Sequence, residues 1–232
     1  MWLRKLKIVI KIGGYAFPLE TDVNMISEYA NLLKKLRKEG HDIVAVTGGG
    51  ENARKYIESA RKLGGTESFC DMIGIQVSRL NAYLLITKLN EDAYPSPPIN
   101  INELVEALTA GKIVVLGGLQ PGQSTNAVAA IAAEAIRAHM LINTTDVDGV
   151  YTADPKKDPK AKKIPVITVN ELFDIVSRDK IFAGSYKLFD LSAVKIIERS
   201  KIPTWIVDGR NVKNVLKVVN GEKVGTQIII DK

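Results

Sequence analysis

Lys7-Ile8-Val9-Ile10-Lys11-Ile12-Gly13-Gly14 is the stretch from which the rest of the chain is read. Four of its first six residues are β-branched, which suits a pleated, half-buried strand, and the glycine pair ends it. The same signal recurs downstream. Asp42 to Thr47 reads as a second strand closed by Gly48-Gly49-Gly50, and Lys112 to Gly117 as a third, followed by Gly118 and Pro121-Gly122. Met140 to Thr144 is a fourth, opening into a polar segment that runs to Lys163. Between these runs the apolar period lengthens to that of a helix. In Asp22 to Lys38, Ile26, Tyr29, Ala30, Leu33 and Leu36 share one side, and Gly40 closes the segment. Helices are likewise expected over Glu51 to Leu63, Ser68 to Leu89, Asn102 to Ala110, Thr125 to Ala138, around Asn170 to Val176, and over Leu191 to Ser200. Strands at Thr204 to Val207 and near Gln227 to Ile230 complete the series. Short strands alternating with helices predict an α/β fold, a mainly parallel central sheet with helices on both faces.

The composition is that of a globular protein: 232 residues, 46% hydrophobic and 25% charged. No apolar run reaches the roughly 20 residues needed to span a bilayer. Met1 to Lys7 is basic, but the apolar stretch behind it is too short and too charged for a signal peptide, so a cytoplasmic protein without membrane contact is expected. One cysteine, Cys70, leaves no pair for an intramolecular disulfide and is expected to be a packed thiol. The net charge of +6 is spread along the chain. Even the densest basic group, Lys156 to Lys163, is interrupted by Asp158 and Pro159. A solvated lysine-rich surface, with some attraction for anionic small molecules, fits this better than a nucleic-acid-binding face. His41 and His139 each precede an expected strand, away from the glycine loops, and are read as structural.

In an open α/β sheet, ligands bind outside the carboxyl ends of the strands. A glycine there is usually only a turn. Three glycine loops, each at an expected strand end, point instead to backbone that approaches an anion closely at helix starts. They are neither a Walker A loop, since no Gly-Lys-Ser/Thr follows, nor a Rossmann fingerprint, since Gly-x-Gly-x-x-Gly is missing.

The most specific segment is Thr145-Asp146-Val147-Asp148-Gly149-Val150-Tyr151-Thr152-Ala153-Asp154-Pro155, continuing into Asp158-Pro159-Lys160-Ala161. It resembles the nucleotide-binding loop of the amino acid kinase family, and the Lys-x-Gly-Gly and Gly-Gly-Gly loops resemble that family in the same order. The resemblance covers nearly the whole chain. It is closest to the archaeal-type uridylate kinases, through Gly48 to Tyr56, Asp71-Met72-Ile73-Gly74, Arg79-Leu80-Asn81-Ala82 and Gly117 to Thr125. Ala183-Gly184-Ser185-Tyr186, Asp190 and Lys195 to Ser200 extend it towards the C-terminus.

The resemblance implies a three-layer α/β/α sandwich in one domain spanning 1–232, with an acceptor-binding part over about 1–138 and an ATP-binding part over about 139–232. It implies a kinase that transfers the γ-phosphoryl group of ATP to UMP in pyrimidine biosynthesis, with Mg²⁺ carried by ATP rather than by protein ligands. Lys11 would face the β/γ-phosphates, and Asp190 would organise that lysine and the metal ion near the moving group. Gly13, Gly14, Tyr15, Gly50, Arg54, Thr145, Asp146, Tyr151 and Asp154 would contact ATP. Gly49, Asp71 and the loop Leu119, Gln120, Pro121, Gly122, Gln123, Ser124, Thr125 would hold UMP. Each has a plainer reading beside this one: Lys11 and Arg54 as solvated side chains, Asp71 and Asp190 as helix caps, Asp148 as half of an Asp-Gly turn. Other acceptors used on the same fold are acetylglutamate, aspartate and isopentenyl phosphate, and oxometalate storage is a non-catalytic alternative. The long apolar helix from Ser68 suggests a subunit contact, and the family implies a homo-oligomer, a hexamer in the uridylate kinases.

Overall fold

The computed structural model describes residues 5–153, 158, 160–178 and 189–230. Five parallel strands form the body of the sheet: β1 (Lys7–Ile12), β2 (Asp42–Thr47), β3 (Val114–Leu116), β4 (Met140–Thr145) and β8 (Thr204–Asp208). β9 (Thr226–Ile229) runs antiparallel to β8, and β7 (Val166–Thr168) lies parallel to β9. The order is β3-β2-β1-β4-β8-β9-β7. A separate two-stranded ribbon, β5 (Val150–Tyr151) with β6 (Lys163–Ile164), stands where the sequence shows only a polar segment.

Helices α1 (Val23–Lys38), α3 (Glu67–Leu89) and α8 (Lys213–Val219) cover one face. Helices α4 (Ile101–Thr109), α5 (Thr125–Ala135), α6 (Val169–Arg178) and α7 (Leu191–Ser200) cover the other, and α2 (Gly50–Lys62) packs on α3. Strand alternation sorts the two cores. Ile8, Ile10 and Ile12 join Leu33, Leu36, Leu85 and Val215, while Val9 joins Val44, Leu116, Val128 and Ile197. Each of these aliphatic chains, removed wholly from water, contributes about 1.5–3 kcal/mol of transfer free energy. The fold is therefore the three-layer α/β/α sandwich with a mainly parallel sheet. One sheet runs through both halves of the chain.

Polar caps fix where the helices begin. Asp22, Thr66, Asn100, Ser124 and Asp190 each accept a backbone N–H from the first turn of α1, α3, α4, α5 and α7. The two histidines do the same at the strand starts. Nδ1 of His41 accepts from the Leu6 amide at 3.3 Å, and Nδ1 of His139 from the Lys7 amide at 2.9 Å. Cys70 is buried in α3, near the carbonyls of Ile57 and Gly65. Among the described residues, no helix is long and apolar enough to cross a membrane.

Candidate active site

From β1 the chain moves outward through β2 to β3, then returns to place β4 on the other side of β1. The crevice above the carboxyl ends of β1 and β4 is thus the topological switch point, where open α/β sheets bind ligands. Register brings Ile12 level with both Thr47 and Thr144, and Thr145 level with Asp208, so four strand ends meet there.

Two glycine loops close over this point. Gly14 rests against Gly50, where an added Cβ would lie 3.2 Å from the Gly50 Cα, and the Gly48 amide donates to the Ile12 carbonyl at 2.9 Å. Gly50 has φ +69°, and a Cβ there would meet the Phe17 carbonyl oxygen at 2.1 Å. Only glycine can start α2 in this position.

Lys11 alternates with Ile10 and Ile12 and so projects to the face covered by α5 and α7. There the carboxylates of Asp146, just past β4, and Asp190, at the head of α7, lie close enough to act on its charge. Burial lowers the Lys11 pKa from 10.5 to about 8, while Asp146 and Asp190 pull it upward. The lysine is a half-buried cation, desolvated and only partly compensated. Asp190 is both of the things the sequence allows. Its Oδ1 accepts the Ala193 amide at 3.0 Å as the cap of α7, and its Oδ2 accepts a close hydrogen bond from the Ser124 hydroxyl, which caps α5. Two helix N-termini therefore converge beside Lys11, with their positive dipole ends towards the same space.

The third loop is held mainly from α3. Ser78 Oγ accepts the Gly118 amide at 2.7 Å, and Arg79 donates to the carbonyls of Gly118 and Leu119, both at 3.1 Å. Asn81 donates to the Gly48 carbonyl at 2.8 Å, and the Thr47 hydroxyl to the Ser78 carbonyl at 2.9 Å. One helix thus positions the second and third glycine loops together. Beyond them, Gln123 N–H bonds back to the Gln120 carbonyl across Pro121-Gly122, and the Gly122 amide donates to Asp71 Oδ2 at 2.9 Å. Asp71 is not the cap of α3, a role taken by Thr66, so its carboxylate reaches across to the loop.

Other expected contacts are arranged differently. Thr145 is buried and spends its hydroxyl on Val147 within its own turn. The Tyr151 hydroxyl donates to Asp148 at 2.5 Å, and Lys163 adds a salt bridge at 3.2 Å. Against the burial that raises it, these two partners hold the Asp148 carboxyl below its ordinary range. The Tyr15 hydroxyl turns inward, to Thr144 and Tyr29. Arg54 is exposed in the second turn of α2 and makes no ion pair among the described residues. Gly49 precedes α2, and Leu119 to Thr125 lead into α5. Asp154 and the Ala183 to Tyr186 segment lie outside the described residues. Ser78, Arg79 and Asn81 received no role from the sequence. Their signal was a polar cluster within an otherwise apolar helix.

Comparisons place this geometry among known proteins. The model of the amino acid kinase family matches residues 7–208. The chain is 46% identical over 224 residues to a uridylate kinase of Methanobrevibacter smithii, covering 97% of this chain and 99% of that one. It is 49% identical over 222 residues to a uridylate kinase of Hyperthermus butylicus, covering 95% and 97%. The crystal structure of uridylate kinase from Archaeoglobus fulgidus superposes with a TM-score of 0.88 at 43% identity, over 96% of this chain and all of that one. A UMP kinase structure from Bacillus anthracis, at 22% identity and a TM-score of 0.82, shares the fold.

Proposed function

The chain belongs to the amino acid kinase family, and from that premise we propose that it transfers the γ-phosphoryl group of ATP to UMP, giving ADP and UDP. The observation that carries this reading is the meeting of three glycine loops, two helix N-termini and a desolvated lysine at one switch point. It is supported by full-length likeness to relatives named uridylate kinase.

Phosphoryl transfer asks a protein chiefly to position two anions and to stabilise charge on the moving group. The Gly13-Gly14 and Gly50 backbone and Lys11 take the donor phosphates, with Asp146 and Asp190 favouring the charged form of Lys11 against its burial. Arg54 is free to bind phosphate as a bidentate guanidinium. Gly49, Asp71 and the Leu119 to Thr125 loop take the acceptor, with Asp71 accepting from ribose hydroxyls. Tyr15, Thr145, Asp146, Tyr151 and Asp154 belong to the donor side, Tyr15 and Thr145 by shaping the backbone. No general base is required, because a nucleotide phosphate with a second pKa of about 6 is already largely dianionic at neutral pH.

Among the described residues there is no cluster of three or more metal-ligating side chains. Mg²⁺ is commonly held by one or two carboxylates plus substrate phosphates, and Asp190 and Asp146 beside the phosphate space fit that pattern. When bound with ATP, the ion would neutralise charge on the β- and γ-phosphates. The acceptor contacts lie within about 1–138, and the donor contacts are shared between the phosphate loops of that part and the remaining contacts within about 139–232. Exposed Phe69, Met72, Leu80, Tyr83 and Leu84 on α3 offer a contact between copies, consistent with a homohexamer acting in the cytoplasm in pyrimidine biosynthesis.

ADP production with Mg-ATP, measured across UMP, CMP, acetylglutamate, aspartate and isopentenyl phosphate, tests the reading, with Lys11→Ala as control. Turnover with UMP that is lost in the control is expected. Turnover only with another acceptor would refute the acceptor assignment.

A further inference from the structure

Beneath the Gly13-Gly14 loop lies a polar knot inside the apolar core. Tyr29 enters from α1 and is 1% exposed, Thr144 is the last residue but one of β4 and is wholly buried, and Tyr15 folds back from the loop itself. The Tyr15 hydroxyl lies 2.8 Å from Thr144 Oγ1 and in close contact with the Tyr29 hydroxyl. Tyr29 is 3.1 Å from Thr144 Oγ1 and 3.0 Å from the Gly209 carbonyl oxygen. Thr144 Oγ1 is in turn 2.9 Å from the Lys11 carbonyl and 3.4 Å from the Gly13 amide nitrogen.

Proton counting orders this cluster. The carbonyls of Lys11 and Gly209 can only accept. Thr144 therefore donates to Lys11, Tyr29 donates to Gly209, and the Tyr15 proton goes to one of the two hydroxyl oxygens. The Gly13 N–H donates to Thr144. Every donor is used, and of the three hydroxyl–hydroxyl contacts only one carries a proton, that of Tyr15; the other two are contacts of oxygen on oxygen. Burial raises the pKa of both phenols, that of Tyr29 to about 12, so the cluster keeps its protons at any working pH. Gly209 is part of the design, because a Cβ there would sit 1.8 Å from the Tyr15 hydroxyl oxygen.

We infer that Thr144 and Tyr29 are positioning residues for the donor-phosphate loop. One hydroxyl of Thr144 grips the turn on both sides, accepting from Gly13 and donating at Lys11, and so sets the angle between the lysine and the loop amides. Tyr29, anchored by its own proton to the Gly209 carbonyl just past β8, packs against that hydroxyl and keeps it in place. None of these bonds reaches the Leu119 to Thr125 loop, so their loss should be felt on one substrate only. The inference rests on the reading of Lys11, Gly13 and Gly14 as the ATP side.

The test compares Thr144→Val, Thr144→Ser and Tyr29→Phe with the unmodified protein. ATP with Mg²⁺ and UMP are titrated separately by calorimetry, followed by steady-state kinetics. Leaving a buried amide and carbonyl without their partner is expected to weaken ATP about tenfold in Thr144→Val. Tyr29→Phe should fall in the same direction, UMP affinity should stay within about twofold, and Thr144→Ser should restore ATP binding. Equal weakening of both nucleotides, unchanged ATP binding in both Thr144→Val and Tyr29→Phe, or a Thr144→Ser variant as poor as Thr144→Val would overturn the inference. Failure of the unmodified protein to bind ATP would instead strike down the donor-site reading beneath it.

Discussion

Lys11→Met should make the empty protein more stable while abolishing its activity. Burial takes the ammonium from its ordinary 10.5 to about 8, even after Asp146 and Asp190 have helped it. At about 1.4 kcal/mol for each pH unit, keeping the charge in the folded state costs up to about 3 kcal/mol. Lys11 is only half-buried as a whole residue, so about 1–2 kcal/mol is the gain to expect from methionine. The sign follows from proton binding. Below pH 8 the folded and unfolded chains both hold the proton, and the cost is present in full. Between about 8 and 10.5 the unfolded chain keeps the proton that the folded one has released, so stability rises with pH. Above 10.5 the cost is gone. Urea denaturation of both proteins without nucleotide, at pH 7, 9 and 10.5, should therefore show a stability gap that closes as pH rises. Other titrating groups are common to both proteins and cancel. A gap that does not change with pH, or a methionine variant less stable at pH 7, would refute the claim that Lys11 is a charge held at a cost. The same logic predicts that ATP binding at pH 9 takes up protons, visible as a buffer-dependent binding enthalpy.

Three further outcomes follow from the site. Gly50→Ala combines a left-handed backbone with a Cβ 2.1 Å from the Phe17 carbonyl oxygen and should cost about 2–4 kcal/mol in thermal or urea melts; Gly64→Ala, at φ +87° with open space around it, should cost only about 1 kcal/mol. Asp190→Asn keeps an acceptor for the Ala193 amide, so stability should change by less than about 1 kcal/mol, while loss of its charge beside Lys11 should move the alkaline limb of the pH–rate profile to lower pH. Arg79→Ala frees the Gly118 and Leu119 carbonyls and should raise the KM for UMP about tenfold with the KM for ATP unchanged; equal changes in both would contradict the separate anchoring of the third loop.

The sheet was legible where the signal is local. β-branched runs ended by glycine gave β1 and β2, an apolar run opening into a polar segment gave β4 to within one residue, and Asp22, Ser124 and Asp190 marked helix starts through their own chemistry. Elements whose shape is set from outside were missed. α8 reads Lys-Asn-Val-Leu-Lys-Val-Val, a β-leaning composition, and it becomes helical because Val215 and Val218 pack onto the sheet. β7 is three residues long and exists because β9 is there to pair with it. At the site, the meeting of Lys11 with Asp146 and Asp190 follows from strand alternation and a helix cap, both readable. The Tyr15–Tyr29–Thr144 knot joins residues 14 and 129 positions apart, and no pattern in one sequence announces it.

Both rims of the sheet end in strands of three residues, β3 and β7. The β3 rim is further shielded at its entry, since Tyr94 donates to the Ile113 carbonyl and Ile113 to that of Asp92, just before the strand begins. A long bare rim would let molecules add strand to strand without limit, the route to fibres. Here that route is closed at source. Self-association is left to helix surfaces, whose contacts are finite and can close into a counted assembly, so crowding many copies together favours discrete particles over open-ended growth.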